Sequence, residues 1–168
     1  SYPSFAPNLW PERPAELRAV WTEYYRAMEV LAARLMSLFA LALDLPEAFF
    51  RDKTDRHISG IRANHYPEQV EPPAPGQIRA GAHTDYGAMT LLAATDAEGG
   101  LEVRMPDGTW AGVRPRPGEF VVNLGDMMAR WTNDRWASTL HRVVNPPLAM
   151  AASRRLSSAP SHHLVDLQ

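Results

Sequence analysis

Six histidines and no cysteine limit the chemistry open to this 168-residue chain. Without thiols there is no disulfide scaffold, thiolate zinc finger, iron–sulfur cluster or cysteine nucleophile. Any metal must be held by His, Asp or Glu. Of His57, His65, His83, His141, His162 and His163, only His83 is followed two residues on by an acid, Asp85. On an extended strand, positions i and i+2 share a face, so imidazole and carboxylate can converge on one point. A turn aspartate capping its own backbone after a strand histidine gives the same spacing, so a third ligand has to decide. His141 offers one, in the β-prone segment Ser138-Thr139-Leu140-His141-Arg142-Val143, which an antiparallel barrel can return beside the first. Two imidazoles and a carboxylate on one octahedral face leave three adjacent positions open. That arrangement suits non-heme Fe(II) binding a chelating co-substrate together with O2. A closed structural zinc site would need a fourth protein ligand.

Beyond His141 lies Arg155-Leu156-Ser157. Arginine offers a planar fork to a carboxylate, and a serine two residues on adds a hydroxyl on the same strand face. Such a pair could anchor the far end of a dicarboxylate whose near end chelates the metal, although a surface arginine would look the same in sequence. Asn64 and Tyr66 alternate onto one face of their own segment with Arg62, and Tyr66 could add a hydrogen bond or simply fill core.

These residues need a scaffold. From Pro14, Leu17, Val20, Trp21, Tyr24, Met28, Leu31, Leu35, Leu38 and Phe39 recur at steps of three and four, predicting one long helix ended by Leu45-Pro46. Its apolar stripe reads as a packing face, with a dimer face as the alternative. A short helix is expected over residues 46–50. After Asp55 the pattern changes to β-prone segments at 58–66, 80–83, 89–94, 101–105, 110–113, 119–124 and 140–144. Turn chemistry separates them at Pro67-Glu68, Ala74-Pro75-Gly76, Gly99-Gly100, Asp107-Gly108 and Pro117-Gly118, and one helical turn is expected at 127–131. Closely spaced strands without alternating helices argue against a doubly wound parallel sheet. They predict a mainly β sandwich or barrel, meaning a jelly roll, with the long helix packed against it.

Composition narrows the function classes. The chain is 45% hydrophobic and 21% charged, ordinary values for a globular domain. Lys and Arg number 17 against 19 Asp and Glu, for a net charge of -2, which gives nucleic acid little electrostatic reason to bind. The most apolar window, residues 35–43, is too short to span a bilayer. Prolines punctuate the chain in clusters, including Pro146-Pro147, without making it low-complexity. Absence of cysteine suits a reducing cytoplasm.

Read together, the motifs resemble those of the isopenicillin N synthase-like Fe(II)/2-oxoglutarate-dependent dioxygenases. The similar segments are Gly81-Ala82-His83-Thr84-Asp85-Tyr86-Gly87-Ala88-Met89-Thr90-Leu91-Leu92, Gly99-Gly100-Leu101-Glu102-Val103, Asp107-Gly108-Thr109-Trp110, Asn123-Leu124-Gly125-Asp126, Trp131-Thr132-Asn133 and the His141 segment, with Asn64-His65-Tyr66-Pro67 ahead of them. The resemblance covers roughly residues 10–157. It implies a cupin-like double-stranded β-helix in which His83, Asp85 and His141 bind iron. It also implies that Arg155, Ser157 and Tyr66 contact 2-oxoglutarate, with Asn64 lining the pocket. Asn123, Gly125 and Asp126 read as structural residues shaping a turn.

The implied activity is oxidation of a small organic substrate by hydroxylation, desaturation or cyclisation, coupled to decarboxylation of 2-oxoglutarate to succinate and CO2. Fe(II), 2-oxoglutarate and O2 are the implied cofactors, and the metal ligands are the only catalytic side chains. The expected organisation is one dioxygenase domain over 1–168, with a buttressing helix at 14–44 and a jelly-roll core at 57–157, as a monomer or homodimer without nucleic-acid or membrane partners. Family members are longer and continue from Arg-x-Ser into an apolar stretch, where this chain reads Ser157-Ser158-Ala159-Pro160-Ser161-His162-His163. Missing chain is therefore expected before Ser1 and between Ser157 and Ser158. Three other readings stand beside this one: an oxidase of the same fold that uses no 2-oxoglutarate, a non-catalytic jelly-roll binding module, and a zinc hydrolase.

Overall fold

The computed structural model of the chain describes residues 7–66, 71–94, 100–145 and 155–162, with residues 94 and 155–162 described by backbone alone. The turns expected at Pro67-Glu68 and Gly99, the Pro146-Pro147 cluster and His163 lie outside the described residues. Two units are distinguished, Ser1–Ala48 and Phe49–Gln168.

The first unit contains α1, Leu17–Ala42. Its end is set by Asp44, which adopts a left-handed φ of 60°. Asp44 N then donates to Leu41 O (3.0 Å) and Leu45 N to Ala40 O (2.9 Å), the paired bonds of a Schellman stop. Pro46 bars any continuation of the helix. The buried seam of α1 runs through Met28, Ala32, Met36 and Ala40, so of the expected packing residues only Met28 belongs to it. Leu17, Trp21, Tyr24, Leu31, Leu35 and Phe39 are half-buried. Val20 and Leu38 are 59% and 58% exposed. These two share one line of the helix surface, turned away from the seam, and an alanine reaches full burial with fewer atoms to cover than a valine or leucine.

The second unit opens with a 3-10 turn, Arg51–Lys53, in place of the short helix expected at 46–50. Among the described residues eight strands follow: β1 (Gly60–Tyr66), β2 (Ala80–His83), β3 (Met89–Ala94), β4 (Leu101–Arg104), β5 (Trp110–Gly112), β6 (Val121–Leu124), β7 (His141–Val143) and β8 (Arg155–His162). They form two four-stranded sheets, in the orders β1-β8-β3-β6 and β2-β7-β4-β5. Every pairing is antiparallel. The result is a jelly roll in which neighbours in a sheet, β4 and β5 excepted, are far apart in sequence.

β8 takes in the point after Ser157 where missing chain is expected. Its backbone sets Ser157 opposite Asn64 and Ser158 opposite Ala63, while its other edge pairs with β3. Backbone ladders on both edges hold a segment whose own side chains have little strand preference.

A single short helix, α2 (Asp126–Trp131), interrupts the strand series between β6 and β7. It stops on Asn133, whose φ is 53°, with Asp134 N donating to Ala129 O at 2.8 Å. Asn and Asp tolerate this conformation because their short polar side chains bond locally, which gives Trp131-Thr132-Asn133 a local role. Thr132 is buried; its Oγ1 lies 2.9 Å from Met128 O and receives Trp136 N at 3.2 Å. Met128 packs in the core with Ala88, Met89 and Leu91, all at most 1% exposed. Phe50 stacks on Trp131 with ring centroids 5.4 Å apart.

Candidate metal centre

β2 ends at His83, β7 begins at His141, and the register of the two strands sets these residues directly opposite one another. Their rings lie 4.3 Å apart, centroid to centroid. Asp85 follows just beyond the end of β2, and its Oδ1 stands 3.7 Å from His141 Nε2. One ligand atom from each of His83, Asp85 and His141 lies within 4.8 Å of the other two. His83 is exposed while Asp85 and His141 are half-buried, so the group sits at an opening.

Both imidazoles are held in a defined state. His83 Nδ1 lies 2.8 Å from Gly81 O, and His141 Nδ1 lies 3.0 Å from Thr139 O. A carbonyl oxygen only accepts, so each Nδ1 carries a proton and, in the neutral ring, each Nε2 keeps a lone pair. Two imidazole nitrogens and one carboxylate oxygen fit Fe(II) with open positions. Among the described residues no fourth His, Asp or Glu joins the group, as a closed zinc site would require.

The segment after β6 grips the loop that carries Asp85. Asp126 N donates to Asp85 O (2.7 Å), Met127 N to Tyr86 O (3.2 Å) and Gly125 N to Ala88 O (3.0 Å). Thr84 Oγ1 donates to Asp126 Oδ2 at 3.2 Å. A side chain at position 125 would collide with the Gly87 carbonyl, and its Cβ would stand 2.8 Å from Asp85 O. Glycine is needed there for close approach.

The residues expected to contact 2-oxoglutarate lie on β1 and β8. Asn64 and Tyr66 are half-buried on one face of β1, and His65 is exposed on the other. Register sets Tyr66 opposite Arg155 and Asn64 opposite Ser157. Cross-strand partners share a sheet face, so positions 64, 66, 155 and 157 line one face; the directions of the Arg155 and Ser157 side chains lie outside the described structure. The Arg79 guanidinium, one residue before β2, stands 5.4 Å from the Tyr66 ring centroid.

One contact was not anticipated. Asn123 Nδ2 donates to Asp85 Oδ2 at 2.7 Å, although Asn123 reads in sequence as a turn-shaping residue. The available signal was its place in β6: Asn123 shares a face with Val121, and a half-buried amide on such a face has to find a partner.

The sequence model of the 2OG-Fe(II) oxygenase superfamily matches residues 57–161. A 2-oxoglutarate-Fe(II) type oxidoreductase of Emericella nidulans is 41% identical over 143 residues, covering 83% of this chain and 41% of that protein. The validamycin A dioxygenase of Streptomyces hygroscopicus subsp. limoneus is 36% identical over 162 residues, covering 95% of this chain and 42% of its own. Among solved structures, a full-length Neurospora crassa protein crystallised in complex with alpha-KG has a TM-score of 0.87 at 34% identity, covering 95% of this chain and 51% of that one. The chain thus spans 41% and 42% of the length of the two sequence relatives. The family match runs from His57, ahead of β1, to Ser161 in β8, and takes in both histidines, Asp85 and the segment that grips it: this chain belongs to the 2OG-Fe(II) oxygenase superfamily.

Proposed function

We propose that the chain carries the catalytic core of an Fe(II)- and 2-oxoglutarate-dependent dioxygenase acting on a small organic molecule. The observation that carries this reading is the convergence of His83, Asp85 and His141, with both Nε2 atoms and Asp85 Oδ1 available, in a chain of this family. His83 and His141 would supply the nitrogens and Asp85 one oxygen. When bound, iron with 2-oxoglutarate and O2 supplies the oxidising power for hydroxylation, desaturation or cyclisation, and succinate and CO2 are released. Arg155 would hold the distal carboxylate of 2-oxoglutarate through its fork, and Ser157 would donate a hydroxyl beside it. Tyr66 and Asn64 line the same sheet face and would orient that end of the co-substrate. A relative named for dioxygenation of validamycin A and a structural neighbour holding alpha-KG support both the small-molecule substrate and the co-substrate.

The -2 charge gives no electrostatic footprint for nucleic acid, and among the described residues no helix is long and apolar enough to cross a membrane. We place the protein in the cytoplasm, as a monomer or homodimer. The decisive experiment measures O2 consumption and succinate formation across a small-molecule panel, with and without 2-oxoglutarate. Succinate formed in step with O2 uptake, and only when 2-oxoglutarate is present, is the expected result. Undiminished turnover without 2-oxoglutarate, and with no succinate, would make the protein an oxidase of the same fold.

A further inference from the structure

The hydrogen bonds from residues 125–127 to the backbone of the Asp85 loop fix where the loop runs and leave the Asp85 side chain free to rotate. The Asn123 amide acts on the carboxylate itself. Its Nδ2 donates to Asp85 Oδ2 at 2.7 Å, across 38 residues of sequence and from the sheet that does not contain the two histidines. Asn123 is in turn held by β6, where it pairs with Thr90 of β3. The two carboxylate oxygens are thereby made unequal. Oδ2 is engaged by a neutral donor, and Oδ1 is turned toward His141 Nε2, 3.7 Å away. A carboxylate with both oxygens free can chelate an ion and take two coordination positions. An oxygen that already accepts a hydrogen bond is the poorer ligand, so the carboxylate offers the other one first.

We propose that Asn123 is a positioning residue that makes Asp85 a one-oxygen ligand, so that His83, Asp85 and His141 occupy three positions and leave three for the co-substrate and O2. The inference rests on the metal-binding role proposed above for those three residues. It also gives the amide a specific chemistry. An aspartate at position 123 would set a second carboxylate against the first, and an alanine would release Oδ2.

The test uses Co(II) as the probe with the whole chain, since its visible absorption reports coordination number and its titration reports affinity. Wild type is compared with Asn123→Ala, Asn123→Asp and His141→Ala, and metal-free melting shows which variants fold. Asn123→Ala should bind Co(II) about tenfold to a hundredfold more weakly, the usual range for losing a hydrogen bond to a ligand, and Asn123→Asp is read by its spectrum. Their spectra at saturation should also differ from that of the wild type, which a purely structural role would not produce. If either fails to fold, Asn123→Gln, which keeps the amide and displaces it by one methylene, is read in the same way. Wild type and His141→Ala taking up Co(II) equally would overturn the metal-binding role and this inference with it. Loss of binding in His141→Ala alone, with the Asn123 variants matching wild type in affinity and spectrum, would overturn only the role of Asn123.

Discussion

His83 and His141 are opposed residues of β2 and β7, and each donates its Nδ1 proton to the carbonyl two residues before it on its own chain. The rings are therefore turned by their own strand ends, and neither depends on the other for its orientation. Removing one should leave the other in place and cost the site a ligand without disturbing the sheet.

His141→Ala should accordingly keep the fold and lose metal binding. For the wild type, Mn(II) at one hundred times its dissociation constant should raise stability by about 2.7 kcal/mol, and a chelator should reverse the gain. The melting temperature of His141→Ala should not respond to either. Thermal melts with Mn(II) and with chelator check both statements, and an Mn(II) shift that survives in the variant would contradict them.

Arg155 is placed opposite Tyr66 on the face that Asn64 and Ser157 share. Arg155→Lys keeps the charge and loses the fork. A hydrogen bond to a charged group contributes about 1.5–3 kcal/mol, so KM for 2-oxoglutarate should rise roughly tenfold to a hundredfold. Mn(II) affinity measured without 2-oxoglutarate should stay at the wild-type value. A variant that loses metal affinity and leaves KM unchanged would place Arg155 elsewhere.

Gly125→Ala drives a methyl group into the Gly87 carbonyl beneath the Asp85 loop. Backbone must move, so roughly 2–4 kcal/mol of stability should be lost in urea unfolding, together with metal affinity. Gly112→Ala is the control, because a Cβ there meets nothing within 4 Å. It should change stability by less than about 0.5 kcal/mol.

Asn133 ends α2 in the left-handed conformation, at φ 53°. Asn133→Gly should be neutral or slightly stabilising. Asn133→Val should cost about 1–2 kcal/mol, the usual penalty for a side chain with no local hydrogen bond in that region. Urea midpoints of the two variants, read against wild type, decide the point.

The sequence made some of these features legible and hid others for physical reasons. β2 and β3 were readable to the residue, at 80–83 and 89–94, because turn residues and β-prone runs meet there without ambiguity. β8 was hidden: Ser157-Ser158-Ala159-Pro160-Ser161 carries no periodicity, and its strand form comes from partners on both edges. On α1 the large apolar residues drew attention to Val20 and Leu38, while the buried seam runs through two alanines. His83, Asp85 and His141 stood out because few residue types bind metals. Asn123 did not, since its partner Asp85 lies in the loop after β2 and no spacing rule links β6 to that loop.

The jelly-roll order also has a kinetic consequence. His83 and His141 meet only through the β2–β7 ladder, and Asn123 reaches Asp85 only once residues 38 apart have been joined. Such long-range pairing forms slowly and late, because loop closure must come before the contacts that reward it. An ion at this site would therefore find its ligands only after the rate-limiting barrier has been crossed. Its stabilisation would then appear almost wholly on the unfolding side: chelation would hasten unfolding and leave the speed of refolding as it was.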